Sequence, residues 1–123
     1  MTNTARIFNT VPKHNYSEFS NAKNVVEFLD LSKNDISKAF NVPKASIRYD
    51  IKIPKEVEIR LNEIGIVCGL VAEYFDGDIK KAAMWFHIKN HALGNISPRD
   101  MIRFGQFDKL HAFITAAING DTP

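Results

Sequence analysis

Residues 83–102 read Ala83-Met84-Trp85-Phe86-His87-Ile88-Lys89-Asn90-His91-Ala92-Leu93-Gly94-Asn95-Ile96-Ser97-Pro98-Arg99-Asp100-Met101-Ile102, and this stretch decides the fold. It holds the only Trp, the end of a helix, an Asn- and Gly-rich turn, and a fresh helix start. In that start Ser97 can cap, Pro98 suits the first helical position and Asp100 favours the first turn. Punctuation this dense between large apolar residues predicts two short helices clamped by a fixed loop, not a flexible linker.

Immediately upstream, Asp76-Gly77-Asp78 closes one helix and opens the next, with Asp78 as N-cap and Ile79, Ala82, Ala83 and Phe86 on one face. Before it the longest helix is expected, with Pro54 in its first turn and its end near Phe75. Val57, Leu61, Ile64, Cys68, Val71 and Phe75 follow a 4-3-4-3-4 spacing that lines one stripe. A second set, Ile59, Ile66, Val67, Leu70 and Tyr74, widens the apolar surface, so this helix should be central and covered on more than one side. Gly65 and Gly69 each cost about 1 kcal/mol against Ala inside a helix, which predicts that another stretch of backbone approaches closely. Downstream, Met101, Ile102 and Phe104 are expected to pack inward before Gly105 breaks the helix. A last helix, about Phe107 to Asn119, carries Phe107, Leu110, Phe113, Ile114, Ala117 and Ile118 on a broad apolar face and stops at Gly120.

Toward the N-terminus, residues 1–21 show no sustained period and read as a partly ordered arm, from which Phe8, Val11, Tyr16 and Phe19 can still pack on the body. Ala22 to Leu31 is a short helix with Val25, Phe28 and Leu29 inward. Ser32-Lys33-Asn34-Asp35 forms a capping box that starts another, ended by Asn41-Val42-Pro43. A further short helix is expected from Lys44 to about Tyr49, with Ile47 inward and Lys44, Ser46, Arg48 and Tyr49 outward. Two short helices joined by a tight turn have the geometry of a helix-turn-helix. No segment shows strand alternation, and the fold class is all-α.

The totals exclude several classes. At 123 residues and 45% hydrophobic the chain is a folding domain and not a disordered one. The longest apolar run, Ile64 to Ala72, is far short of the roughly 20 residues that span a bilayer, and the single Cys68 cannot close an internal disulfide, so a cytoplasmic location is expected. The net charge is only +2. Residues 1–53 hold eight Lys/Arg against five Asp/Glu and residues 54–123 eight against nine, a slight basic bias at the N-terminal end.

Carboxylates are scattered singly and no Gly-rich phosphate loop is present, which argues against an enzyme. His87 and His91 have the helical spacing of a zinc pair, but Asn90 and Gly94 end the helix between them, and no metal site is expected. Cys68, on the apolar stripe, behaves as a small hydrophobe. Trp85 and Phe86 are neighbours on a helix and point in different directions, so at least one is core and the other can reach a partner. Lys44, Ser46, Arg48 and Tyr49 suit contact with phosphate and guanine, the alternative being a solvated helix face. One such helix reads too few base pairs, so DNA binding implies a dimer.

Phe75-Asp76-Gly77-Asp78, Ala82 or Ala83, Trp85, Asn90, Ala92-Leu93-Gly94, Ser97-Pro98 and Asp100 together resemble the toxin-binding domain of the Xre/MbcA/ParS antitoxins, a likeness extending over about residues 22–120. The resemblance implies an Xre-like helix-turn-helix at 22–53 that dimerises on operator DNA, and a toxin-binding helical domain at 54–123. The implied partner is a RES-domain toxin that consumes NAD or transfers ADP-ribose. The antitoxin holds no cofactor itself, and regulates its own operon. The implied toxin-binding surface comprises Trp85, Asn90, Leu93, Gly94, Phe113 and Ala117. Two alternatives stand beside it: a DNA-binding regulator with no toxin, and a dimerising protein-interaction module.

Overall fold

Local sequence signals start and stop the helices. The computed structural model describes residues 10–48 and 53–120, and among them six α-helices and no strand. They are α1 (Ala22–Leu29), α2 (Lys33–Phe40), α3 (Lys55–Tyr74), α4 (Ile79–His87), α5 (Pro98–Arg103) and α6 (Phe107–Ile118). Ser32 Oγ accepts from the Asp35 amide at 3.0 Å while the Asp35 carboxylate accepts from the Ser32 amide at 2.9 Å, the reciprocal box expected for α2. Asp78 and Ser97 cap α4 and α5 with one bond each, accepting from the amides of Lys81 and Asp100. Asp30 and Asn41, at φ 51° and 55°, end α1 and α2 in the left-handed conformation that short polar side chains tolerate.

The core is organised on α3. Val57, Leu61, Ile64, Cys68 and Val71 are buried and Phe75 is half-buried, as the stripe predicts. α1, α4 and α6 all pack against it. One cluster of buried residues runs from Ala22 through α3 to Ile114. The second apolar set is only partly inside. Val67 and Leu70 are buried, but Ile59 is 46% exposed and Tyr74 72% exposed. Ile59 lies about 200° round the helix from Val57, on the far face.

Gly65 and Gly69 do mark a close approach, and what approaches is the N-terminal arm together with α1. A Cβ on Gly65 would stand 3.0 Å from the Phe19 carbonyl oxygen and 3.0 Å from Val25 Cγ2; one on Gly69 would stand 2.6 Å from Pro12 Cγ. The arm is further tied by the His14 amide donating to Glu73 Oε2 at 2.8 Å. Edge-to-face rings continue inward from it, Phe19 on Phe28 at 4.7 Å and Phe28 on Phe86 at 5.9 Å.

α5 joins the N-terminal helices to the rest. The Arg99 guanidinium donates to the carbonyls of Leu29 and Asp30, both at 2.6 Å, closing the C-terminal end of α1. Arg103 donates to Asp35 at 2.9 Å and to Asp100 at 2.8 Å. Burial opposes ionisation of Asp35, but the Ser32 hydrogen bonds and Arg103 outweigh it and hold its carboxyl below the usual range.

Two expectations are corrected. The helix expected from Lys44 to Tyr49 is a single 3-10 turn, Lys44–Ser46, after which Ile47 is extended at φ −92°, ψ 98°. Ser46 Oγ donates to the Pro43 carbonyl at 2.6 Å, a local bond that competes with helix, and the β-branched Ile47 is drawn into the core at 1% exposure. Tyr49 lies outside the described residues. Phe104 is 61% exposed, because α5 ends at Arg103 and the ring instead lies beside the Arg103 guanidinium, 5.7 Å from its centroid.

Candidate functional site

The loop after α4 is built by Asn90. Its Oδ1 accepts from the Ala92 amide at 2.9 Å, its own amide donates to Ile96 O at 3.1 Å, and its carbonyl accepts from both Leu93 and Asn95. Gly94 and Asn95, at φ 84° and 63°, make the reversal. No atom comes within 4 Å of a Cβ placed on Gly94, so its role is conformational. The loop is therefore held by its own backbone bonds, as a clamp.

That clamp sets Asn90 beside an open groove of about 230 Å³. Trp85 of α4 and Phe113 and Ala117 of α6 line it too, so four of the six residues named for toxin binding meet here. Leu93 and Gly94 do not line it: Leu93 is half-buried against the core and Gly94 serves the turn. The rest of the lining is Val71, Tyr74, Phe75, Ile114 and Ile118. All five stand on the apolar faces expected from the sequence, but Tyr74 and Ile118 are exposed there. The signal for Tyr74 is its adjacency to Phe75, which ends the first stripe: at about 100° per residue the two side chains leave the helix in different directions. Their rings stand edge to face at 5.3 Å. Trp85 and Phe86 divide the same way, Phe86 fully buried and Trp85 half-exposed, with perpendicular rings 5.1 Å apart.

No carboxylate, amine or imidazole lines this groove among the described residues, so its chemistry is that of contact. A second cleft, about 310 Å³ between α2, α3 and the start of α6, contains Arg60, which Glu63 and Asp108 hold at 3.2 and 3.1 Å. His87 Nδ1 is 2.8 Å from Ala83 O and His91 Nδ1 is 3.2 Å from Asn95 Oδ1, so the two rings are engaged separately. Among the described residues no three His, Cys, Asp or Glu side chains come together as a metal site. Cys68 is fully buried, and burial pushes its thiol well above the ordinary value. No helix among the described residues is long and apolar enough to cross a membrane.

Of the residues named for DNA, Lys44 and Arg48 are exposed and Ser46 is half-buried with its hydroxyl engaged.

The architecture is thus that of a small all-α domain with one long helix at its centre and an apolar groove where the last turns of α3, α4 and α6 meet. No family model matches the chain, and no curated protein matches it. Among solved structures, it is similar to a chain in the crystal structure of the M. tuberculosis MbcT-MbcA toxin-antitoxin complex. The likeness covers 89% of this chain and 100% of that one, with a TM-score of 0.53 at 18% identity. The resemblance read from the Phe75–Asp100 motif has its counterpart in three dimensions, as a likeness of fold.

Proposed function

We propose that this chain is an antitoxin that acts by occupation and not by catalysis, binding a protein toxin through the groove between α3, α4 and α6 and blocking it. The observation that carries the reading is the convergence of Trp85, Asn90, Phe113 and Ala117 on one open apolar groove, in a fold similar to a chain of a toxin-antitoxin complex. Exposed apolar rims such as Tyr74 and Ile118 gain about 25 cal/mol per Å² when a partner covers them. The toxin class implied by the motif is the RES domain, acting on NAD.

Repression of its own operon, by a dimer on operator DNA, is a separable part of the proposal. Because one helical turn stands in place of a second helix, contact would run mainly from Lys44 and Arg48 to phosphates, with a steep salt dependence. A mobility shift left unchanged by Arg48→Ala would remove that role.

The test of the main proposal is co-expression with the adjacent open reading frame. Growth rescue and a co-purifying complex are expected, and Ile118→Asp, at the groove rim, should abolish both while leaving the helical circular dichroism intact. A product that is not toxic and forms no complex would sink the antitoxin reading; retained operator binding would then favour a regulator without a toxin.

A further inference from the structure

We infer that the groove accepts a cationic side chain, an arginine presented by the partner protein; this rests on the groove being the partner surface proposed above. The first ground is its walls. Tyr74, Phe75, Trp85 and Phe113 put four aromatic rings around a space of about 230 Å³, room for one long side chain and not for a helix. Aromatic rings attract a cation, and the methylene stem of arginine suits the apolar remainder of the lining.

The second ground is electrostatic and comes from the fold. Tyr74 lies in the last turn of α3, Trp85 in the last turn of α4, and Ala117 and Ile118 in the last turn of α6. Three helix C-termini thus meet at one groove, each carrying roughly half a negative charge on its final carbonyls. Neither α3 nor α6 places a basic residue in its last turn, and α4 places only His87 there. Glu73, Asp76 and Asp78 flank the end of α3, where residues 71–78 contain no Lys or Arg; the opposing groups are Lys89, beside Asn90, and Lys13 and His14 of the arm, which share a cleft with Glu73 and Asp76 on the side away from the groove's rings. An aliphatic anchor gains nothing from this field and a carboxylate is repelled. A guanidinium gains from the field and from the rings, and its flat face stacks on aromatic rings better than an ammonium does.

The test uses the full chain and three peptides, acetyl-Ala-Ala-X-Ala-Ala-amide with X arginine, citrulline or norleucine, titrated while reading the emission of Trp85, the only Trp. The expected result is saturable binding of the arginine peptide, about tenfold tighter than its neutral isostere citrulline, weakening as salt is raised. Tyr74→Ala, at a site exposed enough to spare the fold, should reduce that preference several-fold. Equal or tighter binding of norleucine or citrulline, or no saturable change with any peptide, overturns the inference. So does a Trp85 signal that depends on protein concentration alone, which would make the occupant a second copy of this chain. No toxin enters this assay: arginine selectivity without toxin binding removes the antitoxin reading alone, and toxin binding without arginine selectivity removes this inference alone.

Discussion

Replacing Gly69 by Ala should change sign with its neighbour. In isolation the substitution stabilises a helix interior by about 1 kcal/mol. Here the new methyl carbon would stand 2.6 Å from Pro12 Cγ and 3.3 Å from Pro12 Cβ, against about 3.5–4.0 Å for carbons in contact. The proline ring must move by about 1 Å, and the arm that carries it is tied two residues later by the His14–Glu73 bond of 2.8 Å. Overpacking of this kind costs about 1–3 kcal/mol, so Gly69→Ala should leave the full chain between unchanged and about 2 kcal/mol less stable. With Pro12→Gly both clashing carbons are gone, and the same Ala should stabilise by about 1 kcal/mol. Urea denaturation of the four proteins of this cycle, followed by Trp85 emission, isolates the coupling, expected at about 1–3 kcal/mol; the effect of Pro12→Gly on the unfolded chain cancels. Stabilisation of equal size with and without Pro12 would refute the reasoning, because the arm would then not lie over Gly69.

Three further outcomes follow from the fold. Arg99→Met should cost about 2–3 kcal/mol by leaving the Leu29 and Asp30 carbonyls without their charged donor, and Arg99→Lys should recover only part of it, as judged by urea midpoints. Asp35→Asn should remove a contribution that is present above the ordinary carboxylate value of about 3.9 and is lost as pH falls through the lower folded value. Acid titrations of the parent and the variant should therefore converge at low pH. His111 is held below its ordinary value of about 6.5 by burial, with Asp108 acting the other way. Its contribution is full above about pH 6.5 and declines as pH falls through the depressed folded value. His111→Gln should flatten thermal stability across that window, and an unchanged slope would refute the assignment.

Helix boundaries were legible wherever the cause lies within a few residues. The Ser32–Asp35 box, the Asp78 and Ser97 caps, and the left-handed Asn41, Gly105 and Gly120 each act over one turn. The α3 stripe was legible for the same reason, being a period along one helix, whereas the exposure of Ile59 and Tyr74 was not, since apolar character alone does not say which face a neighbour covers. The turn at Lys44–Ser46 misled because its residues permit helix. What overrides them is the burial of Ile47, a tertiary demand on an extended backbone.

The groove divides in the same way. Sequence by itself determined an all-α chain, its central helix, the clamp around Asn90 and the presence of aromatic residues near several helix ends, because capping, turn chemistry and 3.6-residue periodicity are local. Only tertiary structure decided that Tyr74, Trp85, Asn90 and Phe113 face one another while Leu93 and Gly94 do not. Residues up to 39 positions apart in that set are brought together by packing of α4 and α6 on α3, and a juxtaposition of three helix ends has no signature in any one of them.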